Sequence, residues 1–122
     1  MIGLLLALLA QATTTDPLEA ACYERDHSQQ GMNRCAGEAF ERADKELNRH
    51  WREIVDHYRD PDTKKLLLEA QRSWLKYRDA QCELTAFHSR GGSMWPMIVA
   101  GCKADLTRQR NAELADLLGQ GE

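Results

Sequence analysis

Four cysteines, four histidines and one run of helix-spaced polar residues are the parts of this sequence equipped for chemistry. The cysteines, Cys22, Cys35, Cys82 and Cys102, are separated by 12, 46 and 19 residues. That spacing contains no CxxC knuckle, so it speaks against a zinc site and for disulfides. Pairing Cys22 with Cys35 and Cys82 with Cys102 closes two short loops, worth about 3 kcal/mol apiece in the chain-entropy account. Length alone leaves a Cys35 to Cys82 pairing open. Of His27, His50, His57 and His88, only His50 and His57 share a helix face, roughly 10 Å apart, too far for a compact metal pair. Glu46 to His50 and Glu53 to His57 read as ordinary surface pairs one turn apart. There is no GxSxG elbow, no phosphate-cradling glycine loop and, with both disulfides formed, no thiol nucleophile. The expectation is therefore a protein without catalytic residues, metal or cofactor, and not an enzyme.

The polar run is Ala70 to Cys82, AQRSWLKYRDAQC. On a helix, Gln71, Trp74, Arg78 and Cys82 fall on one stripe, and an arginine on a stripe otherwise fit for a core needs either a ligand or an internal partner.

The elements that position this stripe follow from periodicity. From Ser28 to Tyr58, apolar or small residues recur at three-and-four spacing (Met32, Cys35, Ala39, Ala43, Leu47, Trp51, Ile54), which predicts a long amphipathic helix capped by Ser28. Gly31 and Gly37 each weaken its first turns by up to about 1 kcal/mol. Asp60-Pro61-Asp62 ends it. Asp62 or Thr63 caps a second helix reaching to about His88, with Leu67, Gln71, Trp74, Arg78, Cys82 and Thr85 inward. SRGGSMWP, residues 89–96, must be a loop, and a third helix runs from about Met97 to Leu118 before Gly119. The fold class expected is all-α: an antiparallel helical hairpin plus a third helix, stapled by disulfides.

Counting from the turn places Asp44 and Arg78 level, each roughly 24 Å along its helix. A shielded carboxylate facing an arginine explains the stripe as a buried polar network. The network expected comprises Asp44, Asn48, Gln71, Trp74, Arg78, Asp79, Thr107 and Arg110, with Asn48 taking the Trp74 indole or the Gln71 amide. The remaining candidate surface is the loop, where Arg90, Gly91, Gly92, Ser93, Met94 and Trp95 offer interface-enriched residue types at a helix connection. Either Met94 and Trp95 cover the end of the bundle or they bind a partner.

Residues 1–12, MIGLLLALLAQA, read as a signal peptide: an apolar run ending in Ala-Gln-Ala, too short to cross a bilayer. No Lys or Arg precedes the run, as a truncated start would leave it. Cys22 follows LEAA, whose glutamate speaks against lipidation. The domain plan is thus the signal peptide, an N-terminal segment 13–27 tied by Cys22, and a helical domain over 28–119. The expected location is periplasmic or secreted, with no membrane anchor after signal cleavage. A net charge of −3 with no Lys/Arg run argues against nucleic acid as partner.

In the order CYERDHSQQGMNRC, AFERADKELNRHW, AQRSWLKYRDAQC and GGSMWPMIVAGCKADLTRQRNAEL, the chain resembles the LprI-type domain, a small exported helical domain named after a lysozyme-inhibitor lipoprotein. The matching positions include Asp44, Leu47, Asn48, Gln71, Trp74, Arg78, Asp79, Cys82, Cys102, Thr107 and Arg110. The resemblance implies an exported, disulfide-bonded helical domain and, as activity, lysozyme inhibition, which makes a lysozyme-type hydrolase the expected partner. The alternative is a structural or adaptor module contacting another envelope protein.

Overall fold

The computed structural model describes residues 16–119; the signal-peptide reading of residues 1–12 lies outside them. Among the described residues four helices follow one another, α1 Pro17–Arg25, α2 Gln29–His57, α3 Pro61–Thr85 and α4 Trp95–Gly119, with one 3-10 turn at Phe87–Ser89. The described residues contain no strand, and no helix among them is long and apolar enough to cross a membrane. The all-α, disulfide-stapled class is the one expected.

Local chemistry sets the boundaries. Ser28 caps α2, its hydroxyl accepting from the Gly31 amide at 3.0 Å. The Asp26 carboxyl group folds over this end, accepting from the Ser28 amide at 3.0 Å and from the Ser28 hydroxyl. It fills the space a Cβ on Gly31 would need, which is why a helix-weakening residue stands there. Between α2 and α3 the cap is Asp60 rather than Asp62 or Thr63. Its carboxylate accepts from the Thr63 amide at 3.0 Å, and Pro61 takes the first helical position, where a missing N–H costs nothing. The N-terminal segment, expected only as a tether for Cys22, contains α1. Asp16 caps it, accepting from the Leu18 and Glu19 amides, with Pro17 at the first helical position.

Cross-helix bonds fix the topology. Asn33 reaches the Ser93 carbonyl, Asn111 the Ala43 carbonyl and Tyr58 the Leu117 carbonyl. Both positions rise together, so α2 and α4 run parallel. Cys82 meets Cys102, Arg78 meets Thr107 and Gln71 meets Arg110, so α3 runs antiparallel to both. The tightest packing is between α2 and α4, not within the α2–α3 hairpin. The side chains explain this: α2 buries Cys35, Ala36, Ala39 and Ala43, and α4 buries Ala104 and Thr107. Small residues on both sides let two backbones approach, whereas α3 stands off α2 and meets it through longer side chains. Beyond the small-residue stretch, Leu47, Ile54, Leu67 and Leu114 form the apolar cluster, flanked by Trp51, Trp74 and Tyr58.

Two disulfides, Cys22–Cys35 and Cys82–Cys102, join elements at the end of the bundle that carries the α3–α4 loop. The apolar cluster holds the other end. Beside the first disulfide, α1 is anchored by charge: Arg42 donates to Asp16 at 2.9 Å through Nε and lies 2.7 Å away through Nη2. Glu19 accepts from the Tyr23 hydroxyl at 3.3 Å and faces Arg108 at 4.0 Å.

Partial burial works to raise the Asp16 pKa, but the Arg42 and backbone hydrogen bonds outweigh it and hold the group below 3.8. A depressed carboxylate adds stability above its unfolded value and loses it as pH falls through the folded one. Glu19 has the opposite sign: burial raises it above 4.5 despite Arg108 and Tyr23, so its charge disfavours folding at neutral pH. Burial beside Glu19 pushes the Tyr23 hydroxyl up to about 12. Asp16→Ala should therefore cost about 1 kcal/mol at pH 7, shrinking below pH 3.8, while Glu19→Gln leaves neutral-pH stability no worse. Thermal melts of both variants at pH 7 and in acid measure this. A pH-independent Asp16→Ala deficit would show that its charge contributes nothing.

Candidate functional site

The connection between α3 and α4 is built as a series of tight turns on a covalent base. Beyond Thr85, the Ser89 amide bonds to the Ala86 carbonyl at 3.0 Å and the Gly92 amide to the Ser89 carbonyl at 2.9 Å. Gly91 has φ +81°, a left-handed conformation that a side chain would strain. Asn33 of α2 donates to the Ser93 carbonyl at 2.9 Å, and the Cys82–Cys102 bridge closes the segment one turn behind it. The loop expected over residues 89–96 is shorter than that, because Trp95 and Pro96 already belong to α4.

Arg90, Gly91, Gly92, Ser93 and Met94 are exposed, and Trp95 is half-buried. Trp95 and Arg90 line a pocket of about 280 Å³ together with Glu83, Leu84 and Phe87. Leu84 is 69% exposed and Phe87 60%. Large apolar side chains this open, gathered beside one arginine, form a surface suited to a partner. Of the residues lining this pocket, the loop reading named Arg90 and Trp95 but not Leu84 or Phe87. Their signal was a second stripe, Tyr77, Ala80 and Leu84 on α3 continued by Phe87 in the 3-10 turn, at i, i+3, i+7 and i+10, lying off the buried one. Tyr77 is exposed as well.

The polar stripe is a separate structure. Arg78, 8% exposed, lies 5.2 Å over the Phe40 ring and 5.4 Å over Trp74. It donates to Asp79 at 3.0 Å and to the Thr107 hydroxyl at 3.5 Å, and faces Asp44 at 3.7 Å. Arg110 covers Trp74 at 5.8 Å and donates to Gln71 Oε1 at 3.0 Å. Seven of the eight residues expected in the network are thus brought together. Two details differ. Asn48 faces solvent and does not cap Gln71 or Trp74; the stand-off of α3 from α2 leaves it out of reach. Asp44 is not shielded, its side chain being 43% exposed. The arginine is held by aromatic faces and the Thr107 hydroxyl more than by a buried carboxylate. The inward position expected for Thr85 is taken by Ala86.

Among the described residues no group of three or more His, Cys, Asp or Glu side chains is placed to hold a metal ion. His50 is buried, its Nε2 3.4 Å from Glu46, rather than on the open surface.

Arg78→Ala should therefore destabilise by about 2 kcal/mol, through the lost stacking and an unpartnered Thr107. Asp44→Asn should cost only a few tenths of a kcal/mol, as expected of a half-exposed ion pair. Chemical denaturation of both variants tests the ranking; equal losses would restore the carboxylate as the arginine's main anchor.

The comparisons with known proteins place the chain in a family. The family described as Lysozyme inhibitor LprI matches residues 20–114, a span that includes both disulfides, the stacked arginines and the α3–α4 connection. An uncharacterized protein of Rhizobium meliloti (strain 1021) is 41% identical, over 99% of this chain and 94% of its own length. No solved structure matches the chain. On the extent of that match, the chain belongs to the LprI lysozyme-inhibitor family.

Proposed function

We propose that this is an exported, non-enzymatic protein of the periplasm or extracellular space that binds and blocks a lysozyme-type cell-wall hydrolase through the α3–α4 corner. It acts without cofactor, nucleic acid or membrane anchor. The observation that carries this reading is Arg90, exposed at the rim of a pocket walled by Leu84, Phe87 and Trp95. A lysozyme-type cleft works with two carboxyl groups beside sugar subsites. An arginine reaching in pairs with the ionised carboxylate, and an aromatic ring next to it occupies a sugar subsite. Both rings line the pocket, but Trp95 is half-buried while Phe87 is largely exposed, so Phe87 is the ring offered to the cleft. Gly91 and Gly92 let the loop backbone approach closely. The Cys82–Cys102 bridge and the Asn33 bond fix the loop beforehand, which lowers the ordering cost of binding.

The same exposed Leu84, Phe87 and Met94 would equally serve an envelope adaptor, because apolar contact needs no acidic cleft. Lysis of a cell-wall suspension by lysozyme, titrated with the protein, separates the two. Inhibition by the parent should fall at least about tenfold, or 1.4 kcal/mol, in an Arg90→Ala/Phe87→Ala double variant. Both residues are exposed, so stability should change by less than about 0.5 kcal/mol each. A double variant that inhibits like the parent removes the corner as the contact; a parent that does not inhibit leaves the adaptor function.

A further inference from the structure

Where α3 stands off α2 a second groove opens midway along the bundle, about 320 Å³ in volume, at the small end of the range for ligand sites. Each helix lines it with an alternation of kinds. From α2 come Asp44 and Asn48, one turn apart, and Leu47 and Trp51, also one turn apart; from α3 come Gln71 and Arg72, with Leu68 and Leu75. The result is a half-buried indole and three leucines under four planar polar groups.

One of those groups is fixed in advance. Gln71 is 7% exposed, and its Oε1 accepts from Arg110 Nε at 3.0 Å. Arginine can only donate, so the amide oxygen must face Arg110, which leaves the amide NH2 directed away from it. Gln71 lines the groove, and those two hydrogens are a donor pair for whatever occupies it. Asp44, its side chain half-exposed and 3.7 Å from Arg78, presents acceptor lone pairs, while Asn48 supplies both kinds and Arg72 a donor fork. Asp44 and Arg72 balance in charge, which disfavours an anion or a cation as ligand.

We infer that this groove binds a neutral pyranose of an oligosaccharide, with the Gln71, Asn48, Asp44 and Arg72 side chains on its hydroxyl rim and Trp51 with the leucines against its C–H face. A pyranose ring has those two characters: an equatorial rim of groups that each donate and accept, and an apolar face. Planar amide, carboxylate and guanidinium groups meet adjacent hydroxyls with paired hydrogen bonds, and an indole covers apolar surface at little entropic cost. The site is separate from the α3–α4 corner and needs no hydrolase partner.

Side-chain ¹H–¹⁵N spectra of the protein, titrated with chitotriose or maltotriose, test this directly. At least one trisaccharide should give saturable shifts of the Trp51 indole and the Asn48 and Gln71 amide signals, with a Kd of about 1 mM or tighter. Asn48→Ala and Arg72→Ala, both at exposed positions, should each weaken binding about tenfold without changing the melt. Free leucine, which could bridge Asp44 and Arg72 by charge alone, should not shift the same signals. Absence of saturation with both trisaccharides, equal shifts with leucine, or unchanged affinity in both variants overturns the assignment.

Discussion

Everything in this molecule depends on how closely α2 lies along α4. The buried alanines and the cysteine of α2 and the buried Ala104 and Thr107 of α4 leave almost no side-chain volume between two parallel backbones. The approach is close enough for Asn111 to donate directly to the Ala43 carbonyl at 3.1 Å. A helix pair this tight gains from dispersion contacts along its whole length. It also has no room for a third helix in the same seam, so α3 is displaced. The stacked arginines and the α2–α3 groove are consequences of that displacement.

The displaced helix needs side chains that are long and yet ordered. Leucine alone would reach too little. Arg78 and Arg110 span the gap and are kept in place by aromatic faces, Phe40 and Trp74 for the first and Trp74 for the second. A guanidinium stacked this way is less costly to desolvate than an ammonium would be, and each retains hydrogen-bonding partners at its edge, Asp79 and Thr107 for Arg78, Gln71 and Glu113 for Arg110. The interior between α3 and its neighbours is thus amphipathic rather than oily, and part of it stays open to water.

How much of this could be read beforehand follows the same division. The three long helices, the Ser28 cap and the level of Arg78 with Asp44 were legible because periodicity and rise per residue are local properties. The α1 helix was missed although Asp16-Pro17-Leu18-Glu19 has the acidic cap, early proline and glutamate of a helix start; its nine residues to Arg25 carry no apolar rhythm to attract notice. Which of two possible helix pairs is the tight one depends on the volumes of facing residues in different segments, and no single segment shows it. Asn48 was misplaced for that reason. At the candidate corner, Arg90 and Trp95 stood out by residue type, while Leu84 and Phe87 were hidden inside a helix whose other face was assigned to the core.

The placing of the two disulfides has a further meaning for the life of the chain. Both lie at the loop-bearing end, and the apolar cluster lies at the other. Reduced thiols would loosen the α3–α4 corner and α1 but leave Leu47, Ile54, Leu67 and Leu114 in contact. The apolar end is held by side-chain contact alone, whereas the loop-bearing end is tied by bonds that form only when four thiols are oxidised. An oxidising environment is thus what gives the α3–α4 corner and α1 their covalent ties.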